Sequence, residues 1–220
     1  MKRADWRLYL VTDRRLAGQR PIEQVVLEAA RGGVTAVQLR EKEATTREFV
    51  ALARRLKAQL APLDIPLIIN DRLDVALAAG ADGVHLGQSD LEYDDARRLA
   101  GPDFLIGLSV ETFEQALAAE RMEVDYLGVS PIFPTPTKTD TGEAWGLEGL
   151  QQLRAKSRHT LVAIGGISAS NARQVVAAGA DGIAVVSAIC AAADPAAAAR
   201  QLREIIDDEL NELSQLGDRP

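Results

Sequence analysis

Ala79-Gly80-Ala81-Asp82-Gly83-Val84-His85-Leu86-Gly87-Gln88-Ser89-Asp90 contains a helix end, a strand and a polar loop in immediate succession. Gly80 closes the amphipathic stretch 72–79, where a helix ends in left-handed backbone that glycine adopts without steric cost. The strand that follows, 82–86, is short and largely apolar. Its far end opens into Gly87-Gln88-Ser89-Asp90. A parallel strand buried on both faces is apolar along its length and shows polar groups only where it leaves the core. The first half of the stretch recurs as Ala178-Gly179-Ala180-Asp181-Gly182-Ile183. Arg31-Gly32-Gly33-Val34 and Val124-Asp125-Tyr126 occupy the same place in other units. The repeat marks where helices end and strands begin, so Asp82 and Asp181 read as structural rather than catalytic carboxylates.

The same alternation extends in both directions. Strands are predicted at 7–12, 34–39, 66–70, 82–86, 104–108, 125–129, 160–164 and 181–186. Helices are predicted at 21–31, 45–60, 72–79, 92–100, 111–120, 147–156, 169–178 and 195–212. Such alternation gives parallel βαβ units. Eight of them close a single α/β domain, a (β/α)8 TIM barrel over 1–220, whereas six or seven real strands would leave a doubly wound sheet. The tail from about 211 is expected to fray. In a barrel every polar strand end meets on one face, where enzymes of this architecture keep their active sites.

Composition bounds the function. The chain has 220 residues, 47% of them hydrophobic and 4% aromatic, so its core is aliphatic. It carries 25 basic and 32 acidic residues, net −7. With no basic stripe this argues against a nucleic-acid partner. No apolar run reaches transmembrane length and the N-terminus lacks a signal-like stretch, so a cytoplasmic protein with no membrane partner is expected. Cys190 is the single cysteine, read as a small buried thiol.

Each polar strand end has a functional reading and a plain one. Gln38-Leu39-Arg40-Glu41-Lys42 places two cations after strand 2; they suit phosphate oxygens, or form a solvated loop. Lys42 as a Schiff-base lysine ranks lower, because it lies beyond the strand end beside Arg40. Asp71 and Asp90 follow neighbouring strands and together suit Mg²⁺, or each caps the next helix. Gly165-Gly166, with Val186-Ser187 on the next strand, suits phosphate binding, or a tight turn capped by Ser168 or Ser170. The stretch 131–145 is too long and too rich in proline to be ordinary, and its hydroxyls and Lys138 suggest a lid over an anionic ligand. His85 reads as a hydrogen-bonded structural histidine and His159 as inert on the opposite face. Trp145 is expected to pack the lid and Trp6 to pack near the first strand.

Taken together, Gln38 to Lys42, Ile69-Asn70-Asp71-Arg72, His85 to Asp90, Pro131-Ile132-Phe133-Pro134-Thr135-Pro136-Thr137-Lys138 and Ile164-Gly165-Gly166-Ile167 resemble the thiamine-phosphate synthase family, in order and spacing, over roughly residues 7 to 205. The resemblance implies a (β/α)8 barrel. It implies a transferase that moves the pyrimidine methyl group of 4-amino-2-methyl-5-(diphosphooxymethyl)pyrimidine to the nitrogen of thiazole phosphate, giving thiamine phosphate and pyrophosphate with Mg²⁺. By position, Gln38, Arg40, Lys42, Asn70, Ser109 and Lys138 would hold the pyrimidine diphosphate. Asp71 and Asp90 would ligate Mg²⁺. Thr135, Thr137, Gly166, Val186 and Ser187 would hold the thiazole phosphate. Leu39, Glu41 and Pro136 lie within the same motifs and are counted among the substrate-binding residues. Arg40, Lys42, Lys138 and Ser109 are expected to carry the catalysis. Ser89 and Ser130 depart from the commonest pattern without removing a matched ligand. Loss of pyrophosphate from a benzylic-type carbon on an electron-rich ring favours a dissociative path. A thiazole tautomerase-like isomerase and a non-catalytic phosphate-binding protein are the rival expectations.

Overall fold

The computed structural model describes residues 4–135 and 143–216. Eight parallel strands close into a barrel in chain order: β1 (Leu8–Val11), β2 (Ala36–Leu39), β3 (Leu67–Asn70), β4 (Gly83–Leu86), β5 (Leu105–Val110), β6 (Tyr126–Val129), β7 (Leu161–Ile164) and β8 (Gly182–Val185). Register between β1 and β8, with Tyr9 opposite Ala184, completes the ring. The doubly wound alternative is thereby excluded.

The outer layer is helical: α1 (Arg14–Ala17), α2 (Ile22–Arg31), α3 (Thr46–Leu60), α4 (Leu73–Ala79), α5 (Tyr93–Ala100), α6 (Phe113–Ala119), α7 (Gly146–Arg154), α8 (Ala172–Ala177), α9 (Ser187–Cys190) and α10 (Pro195–Leu216). The four-residue helices α1 and α9 were not predicted, being too short to show a period. Fraying from about 211 is not what the structure has through Leu216. There α10 continues, held by Arg173, which pairs with Glu209 at 2.7 Å and Glu212 at 3.2 Å. Residues 217–220 lie outside the described residues.

Strand pleating sorts side chains between two cores. Leu8, Leu10, Val37, Leu39, Ile69, Val84, Leu86, Leu127 and Ile183 point outward and pack against the helices. Tyr9, Val11, Ala36, Ile68, Tyr126, Val162 and Ala184 point inward, with Trp6 closing the bottom. The inward set includes three aromatics, and glycines make room for them. A Cβ on Gly107 would lie 2.1 Å from the Tyr126 ring, one on Gly182 would lie 1.9 Å from the Trp6 carbonyl oxygen, and one on Gly128 would lie 2.9 Å from the His85 ring.

The repeated aspartates are structural, and their job is specific. Asp82, Asp125 and Asp181 each accept a backbone N–H at the start of the preceding strand, from Leu67, Ile106 and Leu161, at 2.8 Å in each case. Thr35 does the same for Leu8 at 3.0 Å. The barrel is therefore clamped pairwise at its bottom, β1 to β2, β3 to β4, β5 to β6 and β7 to β8. Lys57, Arg97 and Arg154 balance the three carboxylates, at 2.6, 3.7 and 2.9 Å. Gly80 and Gly179 take φ of 69° and 105°, as their place between helix and strand required.

The interior packing generates a prediction. Gly107→Ala drives a methyl group into the Tyr126 ring, and overpacking of this kind costs roughly 1–3 kcal/mol. A urea titration should show a midpoint clearly below that of the parent chain. An unchanged midpoint would mean that Tyr126 does not occupy the barrel axis.

Candidate active site

A cavity of about 450 Å³ opens at the C-terminal ends of the strands. Its wall contains Gln38 on β2 with Arg40 and Lys42 after it, Asn70 on β3 with Asp71 after it, His85 on β4 with Gly87, Gln88, Ser89 and Asp90 in the loop that follows, and Ser109 on β5 with Glu111 after it. Ile164 and Val186 line the far side, while Tyr9 and Tyr126 form the floor.

The pleat explains which predicted residues arrive there. Gln38, Arg40 and Lys42 alternate with Leu39 and Glu41, and alternate residues face opposite sides. Leu39 is wholly buried in the layer beneath the helices. Glu41 is held by Arg14 at 2.8 Å and ties down α1. The side chains of Leu39 and Glu41 therefore do not line the cavity, although both were counted among the substrate-binding residues. Arg40 is steadied by its backbone N–H, which donates to Thr12 Oγ1 at 3.0 Å, and by its guanidinium, 3.5 Å from Asp13.

Asp71 and Asp90 meet as neighbours across β3 and β4. Neither caps the helix after it. Asp90 accepts the Gly87 N–H at 2.6 Å within its own loop. Asp71 precedes the α4 N-cap, Arg72, in left-handed backbone at φ 63°. Asp71 reaches solvent as a residue, but its carboxyl end is partly buried in the cavity wall. That burial, and then the carboxylate of Asp90, push its pKa up to about 6, against the opposing pull of Arg40 and Asn70. Two carboxylates in mutual repulsion beside a cavity suit a hard divalent cation. Among the described residues no cluster of three or more His, Cys, Asp or Glu side chains forms a metal cage, so a cation here would complete its shell with water and ligand oxygens.

On the opposite side the chain turns through Gly165 and Gly166, at φ of 105° and 66°. Ile132 and Phe133 donate backbone N–H groups to Ile164 O and Gly165 O at 2.9 and 3.1 Å. A Cβ on Gly166 would meet Phe133 Cβ at 2.8 Å and Pro134 O at 3.1 Å. Thr135 is thus delivered beside Gly166, and β8 brings Val186 and the exposed Ser187 to the neighbouring strand end. Of this group only Val186 lines the cavity. Asn171, rather than Ser168 or Ser170, braces the turn: its Oδ1 accepts the Ser168 N–H at 2.8 Å and its Nδ2 donates to Gly166 O at 2.9 Å. Pro136, Thr137 and Lys138 lie outside the described residues.

Sequence reasoning passed over the floor. Gln38 Nε2 donates to Tyr9 OH at 3.1 Å, Tyr9 OH and Tyr126 OH are 2.9 Å apart, and His85 bridges Tyr126 OH to Ser109 Oγ with 2.8 Å on each side. The missed signal was a tyrosine at an inward position of an otherwise aliphatic strand. Cys190, by contrast, fits its reading. It is buried with its thiol 3.7 Å from Val11 O, and burial pushes its pKa up to about 11.

The family model described as thiamine monophosphate synthase matches residues 8–189. A thiamine-phosphate synthase of Albidiferax ferrireducens is 62% identical over 201 residues, 91% of this chain and 92% of that protein. One from Leptospira biflexa is 54% identical, covering 89% of this chain and 95% of that protein. The solved thiamine phosphate pyrophosphorylase from Pyrococcus furiosus superposes with a TM-score of 0.87 at 42% identity, covering 94% and 98% of the two chains. A 3-hexulose-6-phosphate synthase, at TM-score 0.67 and 20% identity, shares the fold alone.

The thiol supplies a check on the site's chemistry. A nucleophilic cysteine must be accessible and thiolate-forming, and Cys190 is neither. At about pH 8, Ellman's reagent should leave the native chain unlabelled and label the urea-unfolded chain. Rapid labelling of the native protein would return Cys190 to the list of reactive groups.

Proposed function

Since the chain belongs to the thiamine monophosphate synthase family and is a transferase acting on small molecules, we propose that it joins 4-amino-2-methyl-5-(diphosphooxymethyl)pyrimidine to thiazole phosphate with Mg²⁺, releasing pyrophosphate. The observation that carries this reading is the meeting, in one cavity, of Arg40 and Lys42 with the Asp71–Asp90 pair. Cations alone would suit any phosphate. Cations beside repelling carboxylates suit a diphosphate that arrives with a divalent metal.

Gln38, Arg40, Lys42, Asn70 and Ser109 hold the pyrimidine diphosphate, joined by Lys138 on the strength of the family motif. Gly166, Val186, Ser187 and Thr135 hold the thiazole phosphate at the strand ends opposite, joined by Thr137 on the strength of the family motif. Asp71 and Asp90 would hold Mg²⁺, whose charge would counter that of the departing pyrophosphate. The carbon–oxygen bond breaks first, and its electron pair leaves with pyrophosphate. Arg40 and Lys42 stabilise the charge that accumulates there. The positive charge left on the exocyclic carbon spreads into the aminopyrimidine ring. The thiazole nitrogen then donates its lone pair, forming the new carbon–nitrogen bond. No protein nucleophile enters this sequence. Positioning and electrostatic stabilisation supply the rate. The tautomerase-like alternative has no use for the carboxylate pair.

Incubation with both substrates and Mg²⁺ should yield thiamine phosphate and an equal amount of pyrophosphate, and a chelator should stop the reaction. Asp71→Asn is the informative variant, because asparagine tolerates the left-handed backbone found at this position while removing the charge. Turnover should fall on the order of 100-fold, the scale on which one preorganised electrostatic group acts, with an unfolding midpoint no lower than the parent's, since the variant also removes the repulsion with Asp90. Near-parental turnover at limiting Mg²⁺ would remove Asp71 from the metal site.

A further inference from the structure

Five side chains from five different strands form one continuous hydrogen-bonded line across the barrel: Gln38 on β2, Tyr9 on β1, Tyr126 on β6, His85 on β4 and Ser109 on β5. Its direction follows once each buried phenol proton is required to find an acceptor within the line. Gln38 donates through Nε2, so the Tyr9 oxygen accepts at that end. The Tyr9 proton is then directed to Tyr126, and the Tyr126 proton to His85 Nδ1. A ring nitrogen that accepts carries no proton, which puts the imidazole proton on Nε2, facing Ser109 Oγ. The serine oxygen accepts there, and its own proton is left to donate elsewhere. Both phenols are fully buried. Burial holds Tyr9 and Tyr126 far above the ordinary phenol range, so each keeps its single proton to pass on. If His85 were protonated on both nitrogens, Tyr126 would receive two donors and its own proton would have no acceptor in the line, an expensive arrangement in a dry interior.

We propose that Tyr9, Tyr126 and His85 are positioning residues, a one-way hydrogen-bond chain that starts at Gln38, fixes His85 as the Nε2–H tautomer and presents the Ser109 hydroxyl to the substrate as a donor. A ligand oxygen is the group this hydroxyl would serve. The inference rests on the reading that Ser109 touches the pyrimidine diphosphate. It assigns to the barrel floor a share in substrate recognition that acts through Ser109.

The chain has two histidines, which makes ¹⁵N-histidine NMR decisive on the whole protein. His159 is an internal standard: its Nε2 lies 3.0 Å from Ala119 O, a carbonyl that can only accept. His85, assigned by difference with His85→Gln, should show a protonated Nε2 and a bare Nδ1. An Nδ1–H tautomer, or an imidazolium, would mean the chain runs the other way or is broken, and overturns the proposal. Tyr126→Phe keeps the ring between Trp6 and Tyr9 but interrupts the line. It should abolish the single tautomer and lower kcat/KM for the pyrimidine diphosphate about tenfold, the worth of one hydrogen bond. Because Tyr126 acts through Ser109, the double variant Ser109→Ala, Tyr126→Phe should be no slower than Ser109→Ala alone. Multiplying losses would show that Tyr126 contacts substrate directly, and overturn the proposal. If Tyr126→Phe fails to fold, the parental spectrum and Tyr9→Phe decide the question. A parental chain that makes no thiamine phosphate would defeat the substrate reading, while the NMR result would still decide the direction of the chain.

Discussion

The structure depends on Tyr126 lying across the axis of the barrel. Its ring stands 4.2 Å from that of Trp6 and meets Tyr9 edge-on at 5.6 Å. Aromatic pairs in such geometries add to the burial of their area. The position is available only because Gly107, opposite it on β5, has no side chain. With the lower half of the barrel filled in this way, the cavity is confined to the upper half. The tyrosine hydroxyls become a polar floor under a site whose walls are charged.

That floor and those walls do different work. The floor is built on two buried phenols joined to Gln38, His85 and Ser109 by hydrogen bonds, and such a network fixes geometry. The walls carry unbalanced charge. Arg40 is shared between Asp13, at 3.5 Å, and Asp71, and the Asp71 carboxyl is still held at about 6 by burial and by Asp90. Electrostatic tension of this kind is common where ligands supply the missing partners. At the opposite end of the barrel the aspartates are matched by Lys57, Arg97 and Arg154. The two ends therefore divide stability from chemistry, as barrels of this class do.

Much of this was legible in the residues. The repeat around Gly80 and Gly179 located helix ends and strand starts, and the polar strand ends located the cavity, because burial on both faces of a parallel strand leaves no other place for them. What the sequence did not show has local reasons. Leu39 and Glu41 belong to a motif that faces the site, but a two-residue period turns every second side chain away from it. The short helices α1 and α9 have too few turns to show a periodicity. His85 reads as a hydrogen-bonded structural histidine and is hydrogen-bonded on both ring nitrogens; its partners, Tyr126 and Ser109, are what the sequence does not show. Tyr9 and Tyr126 look like core residues in sequence because they are core residues; only closure of the ring brings their hydroxyls together from positions 117 residues apart.

The central claim is that this chain works by stabilising charge separation, with no covalent participation of its own. The most direct measurement is single-turnover quenching with the natural pyrimidine diphosphate and with one whose ring bears an electron-withdrawing group, at saturating thiazole phosphate. Positive charge developing on the exocyclic carbon predicts a much slower chemical step for the modified ring with little change in its binding, each ~1.4 kcal/mol of added barrier giving about a tenfold loss. Equal rates, with chemistry shown to be limiting, would contradict the account and favour direct displacement by the thiazole nitrogen.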